Sequence, residues 1–284
     1  MKYIVKRNLL LFFRDKSSVF FSLLAVMIII GLYVLFLGDL LIGDMENLEG
    51  ARFLMDSWIM AGLLSVTPLT TVLGAMGTMI LDKQNKIFKD FSASPIKRST
   101  LAGAYIISGC TVSIILTIIT LVLAEGYIIM NGGELLSLDA LIKVLGLIAL
   151  TVMVSSFMMF FMVSCFKSTN AYATASTVIG TLIGFLTGVY IPIGNLPESV
   201  QTVVKVFPPS HAGVLFRKVM MEQAEKVVFA GAPDSAILEF RYSMGETFLL
   251  GDKELDSYAS ILYLLITTAI FCALSMRQIS RKEK

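Results

Sequence analysis

The feature that most constrains this fold is a series of six long blocks without a single charged residue. Each block contains a predicted membrane span, and the spans lie at about 17–38, 57–81, 99–124, 144–166, 171–194 and 257–276. At a rise of 1.5 Å per residue, about 20 apolar residues cross a hydrocarbon layer of about 30 Å. Buried helices of a soluble core need uncharged runs of only about 10 to 14 residues. The blocks therefore predict an all-α, polytopic membrane protein with six transmembrane helices.

The charged residues that remain are distributed unevenly between alternate connecting segments. Segments 1–16, 82–98, 167 and 277–284 contain 15 of the 23 Lys and Arg residues but only 4 of the 21 Asp and Glu residues. Because Lys and Arg near span ends are retained in the cytoplasm, both termini are predicted to be cytoplasmic. We expect a multi-pass protein of the cell membrane with membrane lipid as a partner. A net charge of +2 gives no indication of a nucleic-acid partner.

The first 16 residues are predicted to form an amphipathic helix at the inner surface of the membrane. Val5, Leu9, Phe12 and Phe13 fall on one helical face, and most of the basic residues fall elsewhere. A basic amphipathic helix of this kind lies in the headgroup layer. The alternative is a basic flank that serves only as a topology signal.

The second cytoplasmic segment, "LDKQNKIFKDFSASPIKRST", is the most polar stretch between two spans. Leu81, Ile87, Phe88 and Phe91 share one helical face, which predicts a single short helix over 82–91. Pro95 disfavours a helical conformation just before it and so ends this helix. The alternative is a solvated loop whose lysines only set topology, but such a loop would gain nothing from two phenylalanines.

Span five contains a small residue at every fourth position: Ser176, Gly180, Gly184 and Gly188. On a helix these residues form a flat stripe that allows a second helix to approach closely. The stripe packs either against a neighbour in the same chain or at a subunit interface or pathway wall. The sequence favours neither arrangement.

The long external segment, 195–256, begins with two predicted amphipathic helices. Pro197 lies at the start of the first helix, where its missing N–H has no cost. The apolar stripe of this helix follows the i, i+3, i+4, i+7 spacing and comprises Val200, Val203, Val204 and Phe207. We expect Pro208 and Pro209 to end it and Ser210 to cap a second helix that contains Leu215. Residues 222–256 are expected to form a small external structure of undefined form.

Several kinds of chemistry have no support in the sequence. No ionisable residue lies inside the six blocks, which argues against a proton-driven transporter. No phosphate-binding Gly-x-x-x-x-Gly-Lys-Ser/Thr motif and no hydrolase motif is present, and the single histidine, His211, is more typical of a cap than of a catalyst. Three cysteines within or beside spans indicate no metal site. We therefore expect a chain that is not itself an enzyme and that draws energy from a cytoplasmic partner.

Three features, taken together, resemble the membrane subunit of a type-2 ABC exporter, the ABC-2 permease family. They are the basic amphipathic N-terminus, the loop "DKQNKIFKDFSASPIKRSTLAGAYI" and the external segment "IPIGNLPESVQTVVKVFPPSHAGVLFRKVMM". The resemblance implies a homo- or heterodimer of permease subunits with two cytoplasmic ABC ATPases that bind ATP and Mg. It implies that spans one, two and five line the dimer interface and pathway. It also implies that the helices of the external segment are re-entrant and help to close the exit.

The same resemblance implies that the 82–91 helix is the coupling helix that docks in the ATPase. The residues assigned to it are Asp82, Lys83, Lys86, Ile87, Phe88, Phe91 and Pro95. The family often has a glycine after the acidic–basic pair, whereas here Asp82–Lys83 is followed by Gln-Asn.

These expectations combine into one function and one alternative. The chain is expected to be a single domain, 1–284, that moves a hydrophobic or amphipathic compound, such as a drug, an antibiotic peptide or a lipid, out of the cell. The alternative is a non-transporting membrane scaffold or sensor whose external segment binds a ligand.

Overall fold

A computed structural model describes residues 1–43, 48–94, 96–250 and 253–281, and the predicted helix end at Pro95 lies outside them. The described α-helices are α1 (Lys2–Arg14), α2 (Lys16–Leu32), α3 (Gly38–Ile42), α4 (Ala51–Gln84), α5 (Ile87–Ala93), α6 (Arg98–Met130), α7 (Leu138–Cys165), α8 (Thr169–Leu186), α9 (Glu198–Val206), α10 (Pro208–Met220), α11 (Glu222–Val228), α12 (Asp234–Met244) and α13 (Ser257–Arg281). A π-helical turn, Tyr33–Leu37, joins α2 to α3. The strands β1 (Leu249–Leu250) and β2 (Lys253–Glu254) form a small antiparallel hairpin. The all-α class is confirmed.

Four helices of the described chain, α4, α6, α7 and α13, are long and apolar enough to cross a membrane. A fifth span results if Lys16–Leu24 and Val26–Leu35, which are bent by 46°, count as one. The fifth predicted span is shorter than expected because α8 already ends at Leu186. A multi-pass membrane protein is thus confirmed, and the number six stays a prediction.

Helix α4 is the centre of the bundle. Its residues are buried almost without interruption from Leu54 to Leu69, and α2, α6, α7, α8 and α10 all pack against it. Close packing depends on small residues: a Cβ at Gly74 would collide with the Ser22 hydroxyl, and one at Gly62 would lie 2.8 Å from a Val189 methyl. The charge-free run 57–81 within α4 therefore serves protein packing as much as contact with lipid.

The predicted N-terminal helix is present as α1, and the residues of its predicted apolar face differ in how deeply the protein buries them. Ile4, Asn8 and Phe12 are buried, whereas Phe13 is 39% exposed. The chain turns at Asp15, whose carboxylate accepts a hydrogen bond of 3.1 Å from the Ser17 N–H at the start of α2. The location of α1 in the headgroup layer stays a prediction.

The two predicted helices of the external segment are present, with a different boundary between them. Helix α9 ends at Val206, just before the two prolines, as predicted. Pro208 and Pro209 also occupy the first turn of α10, because Phe207 is the N-cap residue and proline needs no helical N–H partner there. The prediction that Ser210 caps this helix is wrong, since its hydroxyl donates to the Leu186 carbonyl at 2.6 Å. Leu215 is buried, as are nearly all residues of α10, against α4, α7 and α13.

The predicted apolar stripe of α9 is only partly buried. Val204 is fully buried, whereas Val203 is 56% exposed and Val200 is 36% exposed. Helix α9 follows Pro197 directly, as predicted. A re-entrant position for α9 and α10 stays a prediction. The rest of the external segment, left undefined by the sequence, consists of α11, α12 and the β1–β2 hairpin.

Candidate functional site

The segment predicted as one helix over 82–91 consists of parts of two helices. Helix α4 continues to Gln84, and Lys86 then adopts a left-handed conformation with φ of 61°. A right-handed helix cannot continue through such a residue, so α5 begins separately at Ile87. The single helix was therefore a wrong prediction.

Asp82 lies inside the bundle. Its side chain is 4% exposed and pairs with both Nη atoms of Arg7, at 2.6 and 2.7 Å. The Tyr105 hydroxyl donates a third hydrogen bond to it, at 2.5 Å. This network joins α1 to the C-terminal end of α4 and the N-terminal end of α6. We call this region, which contains the basic segments 1–16 and 82–98, the basic end of the bundle.

Lys83 also makes contacts within the chain. Its Nζ donates to the Val163 carbonyl at 3.2 Å and to the Ser164 carbonyl at 3.4 Å, in the last turn of α7. Carbonyls at a helix C-terminus lack helical partners and favour a cation. Asp82 and Lys83 therefore hold the basic end together.

Helix α5 is amphipathic, as the sequence predicts, but Leu81, which was predicted to share its apolar face, lies in α4 and is 52% exposed. Ile87, Phe88 and Phe91 are half-buried, and Phe88 stacks on Tyr105 with ring centroids 5.9 Å apart. The Arg7 guanidinium lies 5.8 Å from the centroid of the Phe91 ring. Lys86 and Asp90 are exposed. Among the side chains that the structure describes here, these two present charge on the exposed side of α5 and its N-cap.

A cleft of about 780 Å³ lies between α2, α4 and α8, and we call it the α2–α4–α8 cleft. No charged residue is found among its described lining residues, and apolar side chains alternate with hydroxyl groups. The hydroxyl-bearing residues are Ser17, Ser18, Ser22, Thr70, Thr169, Tyr172, Ser176, Thr177, Thr181 and Tyr190. Such a lining accepts an uncharged or amphipathic surface and disfavours an unpaired charge.

The predicted stripe of small residues divides into parts with different surroundings. Ser176 and Gly180 line the cleft, and a Cβ at Gly180 would have no neighbouring atom within 4 Å. Gly184 packs under the Tyr190 ring of the same chain. Gly188 lies beyond the end of α8 with φ of 66°, a conformation that favours glycine, so it does not belong to a helical stripe. Packing within the same chain thus holds for Gly184, and a subunit interface or pathway wall at Ser176 and Gly180 stays a prediction.

A model of the ABC-2 family transporter proteins matches residues 46–277, from just before α4 into α13. The chain belongs to the ABC-2 transporter family. Membership makes it a membrane permease of an ABC transporter and implies association with an ABC ATPase. A comparison with curated proteins gives no match.

The permease also contains a fully buried arginine that the sequence analysis missed. Arg217 donates to the carbonyls of Gly188, Thr187 and Gly245 at 2.9, 3.1 and 3.2 Å. Its guanidinium carbon lies 5.0 Å from the centroid of the Trp58 ring. Burial lowers the pKa of Arg217 to about 9, which is still above neutral pH, so the side chain remains charged. The only signal in the sequence was the pair Arg217–Lys218 within the otherwise apolar second half of α10.

Two glutamates share one arginine near α11 and α12. Glu225 accepts hydrogen bonds from Arg241 at 2.7 and 3.1 Å, and Glu246 lies 3.5 Å from the same guanidinium. Burial, followed by the neighbouring Glu225 carboxyl, raises the pKa of Glu246 well above its usual range. The buried pair therefore favours a proton on Glu246.

This arrangement predicts a stability that depends on pH. A raised pKa in the folded state means that the folded protein binds the proton more tightly than the unfolded protein, so stability decreases as pH rises from about 4.5. Glu246→Gln, which keeps the shape and removes the titration, is expected to raise the thermal unfolding midpoint more at pH 8.5 than at pH 5.5. Glu239→Gln on α12 serves as the control. An equal effect of Glu246→Gln at both pH values would contradict the prediction.

His211 has a structural environment. Its Nε2–H donates to the Lys205 carbonyl at 2.8 Å, Nδ1 lies 3.2 Å from the Ser260 hydroxyl, and its ring stacks on Tyr263 at 4.2 Å. Burial lowers the pKa of His211, so the imidazole is neutral at pH 7. Both ring nitrogens thus join α10 to α9 and α13. Within the described ranges, no group of His, Cys, Asp and Glu side chains could hold a metal ion.

Proposed function

We propose that this chain is the transmembrane subunit of an ATP-driven exporter that moves a hydrophobic or amphipathic compound out of the cell. The observation that carries the proposal is the construction of α5, together with the family. The apolar side of α5 packs on Tyr105, and its charged side, with Lys86 and Asp90, is exposed. A short helix held this way by the basic end can receive force from a cytoplasmic ATPase, which would bind the ATP and Mg.

The contacts of α5 supply a route for that force. Phe88 contacts α6 through Tyr105, and Phe91 contacts α1 through Arg7. Arg7 and Tyr105 also bind Asp82 at the end of α4. Movement of α5 on closure of the ATPases would therefore act on three helices at once, including the central one.

The α2–α4–α8 cleft supports a second permease subunit and an apolar or amphipathic cargo. Helix α8 packs mainly on α4, and many of its residues are exposed. Exposed apolar faces beside a cleft without charges are suited to a symmetric partner, whose matching helices would enclose a pathway between the two chains. A cargo with an unpaired charge would lose its hydration there without compensation.

Purification from membranes tests the proposal. The permease is expected to retain a nucleotide-binding ATPase, and Lys86→Glu is expected to weaken this association by about tenfold, or about 1.4 kcal/mol. Lys226→Glu makes the same charge change on α11, in the external segment, and should leave the affinity unchanged. Recovery of intact permease without any nucleotide-binding partner would exclude the exporter and favour a membrane scaffold or sensor.

A further inference from the structure

A second cavity, separate from the α2–α4–α8 cleft, lies at the basic end beneath α5. It has a volume of about 600 Å³ and is bounded by α5 and by the adjoining ends of α4, α6, α7 and α13. Cavities of this size hold ligands as large as drug molecules. Neither the packing of the bundle nor the proposed coupling to the ATPase gives this cavity a role.

The lining of this cavity changes from apolar and buried to charged and exposed. Leu101, Tyr105 and Phe160 are 2% to 5% exposed and form the inner part. Ile96 and Arg98 are exposed and form the mouth. This gradient fits an amphiphile with an apolar tail inside and a polar head at the surface.

The polar head should be anionic. Arg98 and Lys83 are the charged residues among the described lining, and none of these lining residues is acidic. Helix α6 also begins at Arg98 without an acidic residue in its first turn, which adds to the positive potential at the mouth.

We propose that this cavity binds an acyl chain of an anionic phospholipid from the cytoplasmic leaflet, with the lipid phosphate beside Arg98. Basic pockets between helices on the cytoplasmic side of a membrane protein bind anionic lipid headgroups. The acyl chain would lie against Phe88 and Phe91, which are only half-buried by the protein. The lipid thus completes the packing of α5 and is a resident component, distinct from a cargo in the α2–α4–α8 cleft.

Native mass spectrometry of the purified complex tests this site. Phosphatidylglycerol and phosphatidylcholine with identical acyl chains are offered at equal concentration, and the complex is expected to retain the anionic lipid selectively. Arg98→Gln should weaken phosphatidylglycerol binding by about fivefold. Lys6→Gln removes one exposed charge from α1, outside the cavity, and should have no such effect. Equal retention of both lipids, or equal effects of the two variants, would overturn the proposal.

A second variant tests the cavity itself. Ala102 lines the cavity and is 7% exposed, so Ala102→Trp should fill it and abolish retention of the acyl chain. If Ala102→Trp does not fold, the comparison of phosphatidylglycerol binding between Arg98→Gln and Lys6→Gln still tests the proposed site. ATP-dependent movement of phosphatidylglycerol between leaflets of proteoliposomes would identify the lipid as cargo and overturn its assignment as a resident component.

Discussion

Replacement of Arg217 by methionine is expected to lower the free energy of unfolding by about 3 to 5 kcal/mol. The variant removes the donors for three backbone carbonyls, those of Thr187, Gly188 and Gly245, which are held in place by the fold and cannot turn to water. Each carbonyl left unpaired costs about 1 to 3 kcal/mol, partly offset because methionine is easier to bury than a guanidinium. Equilibrium unfolding in mixed detergent micelles measures the loss.

The protein contains its own reporter for this site. Trp58 is the only tryptophan, is fully buried and lies against the Arg217 guanidinium. Its indole N–H donates to the Met244 carbonyl at 2.7 Å. In Arg217→Met, the tryptophan emission should shift to longer wavelength as water reaches the ring.

Two further variants control this experiment. Lys218→Met removes the neighbouring cation, which is partly exposed and 3.5 Å from Glu254, and should cost less than about 1 kcal/mol. Arg217→Lys keeps the charge but loses the planar fork, so an intermediate cost is expected. If Arg217→Met is no less stable than Lys218→Met, then the carbonyls find other partners and the structural role assigned to Arg217 is wrong.

Arg217 also shows why part of the fold was not predictable from the sequence. Four of the six predicted spans correspond to long apolar helices, because absence of charge over about 20 residues has one common explanation. The carbonyl partners of Arg217 lie 28 to 30 residues away along the chain, and no local pattern brings them to α10. The same holds for the cavity beneath α5, which exists only where five helices meet.

The errors at the basic end have a related cause. Helical periodicity correctly grouped Ile87, Phe88 and Phe91 on the inner side of α5, because burial follows that period. Periodicity gave no sign of the left-handed residue at Lys86, since lysine rarely adopts positive φ. An inward-facing Asp82 is equally invisible to sequence patterns when its partner, Arg7, lies 75 residues away.

Loss of the Asp82 carboxylate is expected to be the second large effect. Asp82→Ala removes the acceptor for two hydrogen bonds from Arg7 and one from Tyr105, and should cost about 2 to 3 kcal/mol. The cost is below that of a fully buried pair because the Arg7 side chain is 32% exposed and can recover hydration. Asp90→Ala, which changes an exposed carboxylate on α5, should alter stability by less than about 0.5 kcal/mol.

A double-mutant cycle separates this pair from general loss of packing. If the pair contributes as the geometry indicates, Arg7→Met and Asp82→Ala are each destabilising, and the double variant costs clearly less than their sum. Strict additivity would contradict a direct interaction.

In the proposed exporter the loss of the Asp82 carboxylate also has a functional readout. Asp82 joins α4 to the residues on which α5 packs, so Asp82→Ala should lower transport per ATP hydrolysed at temperatures where the protein stays folded. Asp90→Ala, in contrast, can affect transport only by weakening the binding of the ATPase, because its side chain lies on the exposed side of α5.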